Sequence, residues 1–574
     1  MASTQLIARG PGKATRRHAS LVATLLLVAA CGSSTPSDAP ASGGTASEGA
    51  AGSPTATDPA ATRGPVTAAS LTIAIPDDPG SALNIYTANQ QFDPLIDLVY
   101  DKLMGPSPYV DEPQPLLAES VTQVDPSTWD VTVRKGVSWQ DGRPFTADDV
   151  KFTYEYFRDG IPNRYTHHTN DAPDIASIEA TGDRTLRFHC SYPCPELGSV
   201  TFADLPILPR HVWESVTEPA KFTGLPIGTG PYRLTEHAGG QYLRFDANDA
   251  YFLGKPTVDQ LVVTITKDQD ATFAALSSGE IGIAARNVPP ELIAGLAARP
   301  GIRVVSTTPL TSVMLRLNYE RPPFTEPRFR EALSLAIDRQ ALVDTILLGQ
   351  GRPGTQGYPH PDSPWTNPDL STPFDPGRAA ALLDALGYTD TDGDGIRENA
   401  TGGPISLDLQ VTASEPARIR AAELLVGQLN AVGIGLGVRT ADAGTIRSLF
   451  GSRDFDMYID QGFAHELADP DQFIESNRSG LAWRAGLAYP EWDRLVAAWE
   501  QTTDVEARRA ATFDLEALFN RQPTIIPLWY PNESWAFRPD AYDGWSETRG
   551  YGIVNKWSFL PADARAGRIA RTFD

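Results

Sequence analysis

The segments Ile405-Ser-Leu-Asp-Leu-Gln-Val411 and Ile434-Gly-Leu-Gly-Val-Arg439, together with the residues between them, decide the fold class. Apolar and polar residues alternate in the first segment, which predicts a strand, and the second segment predicts another. The intervening residues include Ile419 and Leu429 in an apolar series at helical spacing, which Gly433 ends. A strand, a helix and a second strand form a βαβ unit. The sequence therefore predicts an α/β fold in which helices cover a parallel or mixed sheet.

Similar patterns extend along the chain before and after this unit. Leu71-Thr-Ile-Ala-Ile75 alternates like a strand, and Thr524-Ile-Ile-Pro-Leu-Trp-Tyr530 also predicts a strand. Thr146 and Asp149 have the spacing of a capping box at the start of a helix. Two further strands flank His237-Ala-Gly-Gly240, which predicts a hairpin. The body of the chain is therefore globular and mixed.

Composition limits the function classes to which this chain can belong. The 574 residues include 71 acidic and 48 basic ones, for a formal net charge of −23, and 41% are hydrophobic. This apolar fraction is enough for a sizeable core. An acidic surface repels nucleic-acid phosphates and anionic lipid headgroups. We therefore expect no electrostatic binding to nucleic acid or to anionic membranes.

The N-terminal residues predict export and membrane anchoring. Basic residues precede the apolar run from Leu21 to Ala30, which is too short to span a bilayer and predicts a signal peptide over residues 1–30. The run ends next to Cys31 in a small-residue pattern that resembles the bacterial lipobox, in which such a cysteine carries a diacylglycerol. Residues 31–66 are small and polar and predict a disordered tether. We expect lipid anchoring at the extracytoplasmic face of the cell membrane, with an ordinary signal peptide as the alternative.

Several segments of the body carry a family resemblance through their order and spacing. These segments are Pro115-Leu-Leu-Ala-Glu-Ser120, Gly136-Val-Ser-Trp-Gln-Asp-Gly-Arg-Pro-Phe-Thr-Ala-Asp-Asp-Val-Lys-Phe152, Gly228-Thr-Gly-Pro-Tyr-Arg-Leu234, Ser278-Gly-Glu-Ile281, Arg321-Pro-Pro-Phe324, Arg328-Phe-Arg-Glu-Ala-Leu333 and Ala336-Ile-Asp-Arg339. With them, the chain resembles the family-5 extracellular solute-binding proteins of ABC importers, the dipeptide and oligopeptide receptors. The resemblance covers nearly all of residues 70–560.

The resemblance implies a periplasmic-binding-protein-like type II fold, in which two mixed-sheet lobes are joined by a hinge and an extra small α+β domain lies beside the first lobe. Ligand binds in the cleft between the lobes and the hinge closes over it. We interpret Asn318-Tyr-Glu-Arg-Pro-Pro-Phe324 as an extended crossover, because a residue before proline avoids helical geometry. The expected boundaries are 67–105, 185–311 and 525–574 for lobe I, 106–184 for the accessory subdomain and 312–524 for lobe II.

The resemblance also implies where a peptide ligand would be held. In peptide receptors of this family an acidic residue, usually Asp, pairs with the α-ammonium four positions before the proline of an acidic-Pro pair. The matching residue here is Glu466, four before Pro470. Glu466 could serve with the amine displaced by a methylene length, or it could mark a ligand without a free amine. His465 is a second candidate contact or a rim histidine, and Asp469 is either a contact or, like Asp471, a helix cap.

Three tryptophans are candidate cleft residues near the segments that cross between the lobes. They are Trp483, Trp529 and Trp535. An aromatic ring in the cleft would give a ligand a flat apolar surface, whereas a tryptophan in a chain of this size is also a common core residue. Both interpretations stay open for each of them.

Residues 390–398 contain the opening of a calcium-binding loop. The sequence Asp390-Thr-Asp-Gly-Asp-Gly-Ile-Arg-Glu398 has Asp at positions 1, 3 and 5 and Gly at position 6, but Thr401 replaces the Glu expected at position 12. The pattern indicates either a structural calcium ion or an unliganded turn that caps itself. For bound calcium, the candidate ligands are Asp390, Asp392, Asp394, the backbone of Ile396 and Glu398.

Cys190 and Cys194 are the cysteines that remain when Cys31 is lipidated. In an exported protein they can pair if Tyr192-Pro193 folds the chain so that their Cα atoms come within about 7 Å. An extended strand would hold the Cα atoms about 13 Å apart. We expect a disulfide. A zinc site is a remote alternative, because only His189 is near enough to be a third ligand.

Enzyme signatures are missing from the sequence. The chain has no Gly-x-Ser-x-Gly elbow and no Gly-x4-Gly-Lys-Ser/Thr loop, and His465-Glu466 lacks the second histidine of a zinc protease. We expect a monomeric, non-enzymatic receptor that captures peptides and delivers them to ABC permease subunits without a required cofactor. An oligosaccharide or metal-chelate receptor of the same fold, a ligand-sensing lipoprotein and a secreted hydrolase are the alternatives.

Overall fold

The structure is a computed structural model that describes part of the chain. The described residues are 66–574 except 111, 171–173, 356–358, 400, 464–469, 471–472, 475–476, 480–488 and 574. They belong to one compact unit, Arg63–Asp574. The predicted signal peptide (1–30), the tether (31–66, apart from its last residue) and Cys31 lie outside the described residues. Among the described residues, no helix has both the length and the apolar character that crossing a membrane requires.

The strands alternate with helices along most of the described chain. The strands up to the first crossing between sheets are β1 (Leu71–Ile75), β2 (Met104–Gly105), β3 (Gln114–Pro115), β4 (Ala118–Asp125), β5 (Thr128–Val133), β6 (Ile175–Gly182), β7 (Thr185–Cys190), β8 (Tyr232–Ala238), β9 (Tyr242–Ala247), β10 (Gln260–Ile265), β11 (Ile283–Ala284) and β12 (Arg303–Thr307). The later strands are β13 (Thr311–Leu317), β14 (Gly351–Pro353), β15 (Ser406–Thr412), β16 (Gly435–Ala441), β17 (Met457–Phe463), β18 (Ile525–Pro531), β19 (Glu533–Phe537), β20 (Ser546–Glu547) and β21 (Arg571–Thr572).

The helices cover the sheets on both faces. They are α1 (Asp93–Val99), α2 (Ala147–Asp159), α3 (His167–Asn170), α4 (Thr201–Asp204), α5 (Arg210–Trp213), α6 (Gln269–Ser278), α7 (Pro290–Ala297), α8 (Pro327–Leu335), α9 (Arg339–Ile346), α10 (Pro376–Ala385), α11 (Pro416–Asn430), α12 (Ala443–Ser452), α13 (Pro490–Glu500), α14 (Val505–Arg521) and α15 (Ala562–Arg565).

Two large mixed sheets define two lobes. The lobe I sheet has the strand order β12-β19-β11-β1-β10-β9-β8, with β1 parallel to β10 and β11. The lobe II sheet has the order β14-β18-β13-β17-β15-β16, with β15 parallel to β16 and β17. The predicted βαβ unit is therefore β15-α11-β16, and the predicted mixed α/β fold is confirmed. One face of the lobe II sheet packs with α8, α9, α10 and α11 in a single apolar core.

A smaller four-stranded sheet, in the order β4-β5-β7-β6, lies beside lobe I. Strand β7 pairs with β5 and with β6, so the expected boundary between residues 184 and 185 cuts through this sheet and is wrong at that point. The sheet extends to Cys190, because the hydrogen bonds of β7 bind it to the accessory strands. Side chains of this sheet and of lobe I form one continuous apolar core.

The chain crosses between the two large sheets at two neighbouring places. Residues 308–310 connect β12 to β13, and Asn532 connects β18 to β19. The expected boundary between residues 524 and 525 is therefore wrong, because β18 pairs with β13 and β14 and belongs to the lobe II sheet. The paired strands on each side are antiparallel, so the two crossings lie next to each other and form the hinge. The crossover interpretation of 318–324 is wrong. Those residues form turns after β13, since Asn318 O accepts the N–H of Arg321 and Arg321 O accepts the N–H of Phe324.

Candidate functional site

Both large sheets direct the carboxyl ends of their parallel strands toward the hinge. In lobe I, β11 pairs antiparallel with β19, so its carboxyl end at Ala284 lies at the same edge as Glu533, the first residue after the second crossing. In lobe II, Phe463 at the end of β17 pairs with Thr311, the first residue of β13 after the first crossing. Ligands of open α/β sheets bind outside the carboxyl ends of strands. The candidate ligand site is therefore the cleft between these two edges.

Lobe II contains a pocket of about 460 Å³ beside its edge of the cleft. Thr412 at the carboxyl end of β15, Asp460 on β17 and residues of α12 line this pocket. Phe450 of α12 and Tyr458 of β17 form an apolar part of its wall, where their ring centroids lie 5.6 Å apart. The pocket can therefore hold an apolar group next to charged side chains.

The charged lining of this pocket has an excess of arginine. Arg316, Arg418 and Arg447 line it together with the carboxylates Asp460 and Glu415. Arg316 Nε donates a hydrogen bond to Asp460 Oδ2 at 2.8 Å. With three guanidinium groups and two carboxylates, the lining carries a net positive charge. Such a pocket attracts an anionic or carboxylate-bearing part of a ligand.

A carboxyl group at the hinge has an unusual pKa. Burial, together with the nearby charge of Glu547, raises the pKa of Glu533 to about 7. Glu547 itself accepts hydrogen bonds from the backbone N–H of Thr308, at 3.1 Å, and from Arg571 Nε, at 2.6 Å. The second crossing therefore has a carboxyl group that titrates near neutral pH beside the first crossing.

Most of the ligand contacts predicted from the sequence fall within residues 464–488. Glu466, His465, Asp469 and Trp483, as well as the capping candidate Asp471, lie outside the described residues. The last described residue before them is Phe463, at the cleft edge of β17. The assignments of these residues stay predictions.

The structure places the two other candidate tryptophans in different surroundings. Trp529 on β18 is 2% exposed and belongs to the apolar core of lobe II. Trp535 on β19 is half-buried next to the hinge, where its Nε1 donates to Thr307 Oγ1 at 2.9 Å. Trp529 therefore packs as a core residue in this structure, while Trp535 lies at the lobe I end of the second crossing.

The acidic turn brings four carboxylates together. Oxygens of Asp390, Asp392, Asp394 and Glu398 lie within 4.8 Å of one another, the first three residues being exposed and Glu398 buried. The same carboxylates accept backbone N–H groups of the turn, such as that of Gly393 on Asp390 Oδ1 at 2.8 Å. Hard oxygen ligands in this arrangement fit calcium. Without a metal ion, the same carboxylates accept hydrogen bonds from the backbone N–H groups of the turn.

Cys190 and Cys194 form a disulfide, with their Cα atoms 6.4 Å apart. The bonded loop is fixed to the accessory sheet, because Cys194 O accepts a hydrogen bond from Trp129 Nε1 at 3.0 Å. The backbone N–H of Cys194 donates to Pro126 O at 2.9 Å. The residues that follow Cys194 therefore start from a rigid position.

Comparisons with known proteins agree with this architecture. The family model described as bacterial extracellular solute-binding proteins, family 5 Middle, matches residues 112–484. The oligopeptide-binding protein AppA of Bacillus subtilis is 28% identical over 467 residues, which are 77% of this chain and 82% of AppA. The nickel-binding periplasmic protein of Escherichia coli is 26% identical over 471 residues, 78% of this chain and 86% of that protein.

A solved structure shows the same fold. The structure of AppA from Bacillus subtilis in complex with a nonapeptide aligns with a TM-score of 0.68 at 24% identity, and covers 83% of this chain and 95% of that chain. This chain belongs to the bacterial extracellular solute-binding proteins of family 5. It is therefore a substrate-binding component of an ABC transporter, as the motifs of its sequence predicted.

The pocket residues were missed by the sequence reasoning. Arg316, Arg418, Arg447 and Asp460 come from β13, α11, α12 and β17, and they share no motif. The available signal was weak: Arg316 and Asp460 are charged residues inside strands.

Proposed function

We propose that this chain is a monomeric, lipid-anchored receptor that captures peptides in the cleft between its lobes and delivers them to the permease of an ABC importer. The observation that carries the proposal is the pocket beside the carboxyl end of β15 and the middle of β17, with its apolar wall and its excess of arginine. A peptide offers such a pocket both a side chain and a carboxylate. The similarity to the oligopeptide-binding protein AppA supports this class of ligand.

Glu466 is the proposed partner of the peptide's α-ammonium. The residue belongs to the segment that follows β17, whose end lies at the cleft edge of lobe II. An ammonium group at this end of the ligand and a carboxylate in the arginine-rich pocket would give both charged ends of a short peptide a partner.

Two measurements test the ligand class. Mass spectrometry of small molecules released from the denatured protein should find intact peptides. Glu466→Ala should weaken binding of a free-amine peptide by about tenfold or more, because a charge-assisted contact contributes about 1.5–3 kcal/mol. The same peptide with an acetylated amine should lose much less. Equal losses for both peptides would remove the ammonium assignment, and release of cleaved peptide would contradict a receptor.

The membrane anchor is proposed at Cys31. A cysteine after a short apolar run and small residues supports lipidation, and the small polar residues that follow support a tether. Cys31→Ser should move the protein from the membrane fraction to the medium or periplasm, without changing the affinity of the purified body for peptide. Membrane retention of this variant would contradict the anchor.

A metal-chelate receptor is the second candidate function, since the nickel-binding relative covers a similar share of the chain. Isothermal titration with peptides and with nickel–histidine chelates separates the two candidates.

We also propose a structural calcium ion at the acidic turn. The convergence of Asp390, Asp392, Asp394 and Glu398 supports it, with the backbone carbonyl of Ile396 as the further candidate ligand. Bound calcium would stabilise this turn between α10 and β15 and would take no part in ligand capture.

A further inference from the structure

A buried ion pair connects the two lobes. Arg508 Nη2 lies 3.7 Å from Glu196 Oε2, and the two side chains are only 3% and 6% exposed. Arg508 lies on α14, whose Leu515 and Leu518 share an apolar core with Met314 of the lobe II sheet. Glu196 follows the disulfide in the short turn Pro195–Leu197, which packs in the core of lobe I. The pair therefore spans the cleft-forming halves of the molecule.

Each partner of this pair is held by its own lobe. The Arg508 guanidinium lies over the Trp499 ring of α13, with its carbon 3.4 Å from the ring centroid. Glu196 is positioned by the disulfide-closed loop, and its carbonyl accepts the N–H of Val200 at 2.8 Å. Both side chains are therefore buried and held in position by their own lobes. The geometry is therefore that of two rigid surfaces that meet when the lobes close.

A hinge rotation would separate Glu196 from Arg508, because the two residues belong to different lobes. The lobes are connected by the crossings at 308–310 and Asn532, so a hinge rotation displaces α14 relative to the turn of Glu196. In the open form both charges regain water. In the closed form they are desolvated, and each charge helps to offset the desolvation of the other.

We propose that Glu196 and Arg508 form a latch that holds the closed conformation, and that the Cys190–Cys194 disulfide presents Glu196 to it. The proposal rests on hinge closure, which is part of the proposed function. The latch sets the ratio of closed to open receptor before ligand arrives, so it also sets the apparent affinity for any ligand that binds the closed form. It does not depend on which ligand that is.

Small-angle X-ray scattering of the ligand-free protein tests the latch directly. Data for wild type, Glu196→Gln, Arg508→Met and the double variant are fitted as mixtures of the closed structure and a hinge-opened form. We expect each single variant to lower the closed-to-open ratio by about tenfold or more, because it leaves one buried charge without this partner. The double variant should recover part of the loss, and Arg508→Lys should keep most of the closed population.

Controls separate the latch from folding and from the ligand proposal. Arg187→Met breaks the ion pair with Asp130, 2.7 Å long and within the accessory sheet, and should leave the scattering unchanged. Glu196→Gln keeps the size of the side chain, so it carries the test if Arg508→Met does not fold. Single variants that scatter like wild type, or a double variant that is more open than either single one, would overturn the latch. Failure of peptides to bind would leave these ligand-free results unaffected and would reject only the peptide proposal.

Discussion

Glu516 on α14 has a buried carboxyl group that should limit the stability of lobe II at neutral pH. The residue is fully buried, and its Oε2 accepts the backbone N–H of Asn367 at 2.5 Å, while its Oε1 has no hydrogen-bond partner among the described residues. Burial raises the pKa of Glu516 to about 8, from an ordinary value of 4.5. Glu516→Gln replaces this group by a neutral amide of the same shape. The amide oxygen can still accept the N–H of Asn367.

The sign of the pH dependence follows from the direction of this shift. Below pH 4.5 the folded and unfolded states are both protonated, so the carboxyl group adds no pH-dependent cost. Between pH 4.5 and about 8 the unfolded chain releases the proton that the folded chain keeps, and stability falls as pH rises. Within this range, each pH unit lowers the free energy of unfolding by about 1.4 kcal/mol. The cost at pH 7.5 is therefore about 4 kcal/mol as an upper value, and at pH 5.5 about 1.4 kcal/mol.

Guanidinium unfolding at pH 5.5 and 7.5, followed by tryptophan fluorescence, measures this effect. Trp499 reports on α14, because its Nε1 donates to Thr512 Oγ1 at 3.1 Å. We expect Glu516→Gln to stabilise the protein by about 2–4 kcal/mol at pH 7.5 and by about 1 kcal/mol at pH 5.5. The exposed Asp514→Asn on the same helix should change stability by less than about 0.5 kcal/mol at both values. An equal gain at the two pH values, or a loss at pH 7.5, would refute the reasoning.

Three further predictions concern the pocket, the acidic turn and the disulfide. Arg418→Met should weaken binding of a peptide with a free carboxyl terminus by about tenfold or more, as measured by titration calorimetry. Binding of the same peptide with a C-terminal amide should weaken much less. Equal weakening of both peptides would contradict a carboxylate contact. Millimolar calcium should raise the unfolding temperature of wild type but not of Asp390→Asn, and a wild type that does not respond would reject the calcium proposal. Replacing Cys190 and Cys194 by alanine should lower the free energy of unfolding by about 2 kcal/mol for so short a loop, measured in guanidinium with far-UV circular dichroism as the check on folding.

Local patterns predicted several elements of the fold. The capping box at α2 forms as the sequence indicated, with Asp149 Oδ2 accepting the N–H of Thr146 at 2.9 Å. The alternating segment near residue 405 became β15, and the segment near residue 434 became its parallel neighbour β16. These patterns succeed because capping and strand alternation involve residues within a few positions of one another. The interpretation of 318–324 failed, since proline restricts local geometry but does not decide where the chain crosses between lobes.

The candidate site was predictable only in outline. The family motifs indicated a cleft and the segment around Glu466, but not the pocket that Arg316 and Asp460 help to form. These two residues become a site because β13 and β17 are neighbours in the sheet, and strand neighbours that are distant along the chain leave no periodic signal in it. The same limit applies to the latch, whose two charges are more than 300 residues apart.

The sequence by itself determined the α/β class, the family and several individual strands and helices, because each of these depends on short-range periodicity and on motifs of adjacent residues. The tertiary structure alone decided which edges face the hinge, which arginines share a pocket, and that Glu196 meets Arg508 across the lobes. Burial also changes the protonation state that a side chain has at a given pH. The sequence shows Glu516 as one acidic residue among 71, but its desolvation within lobe II makes it a group that holds its proton at neutral pH.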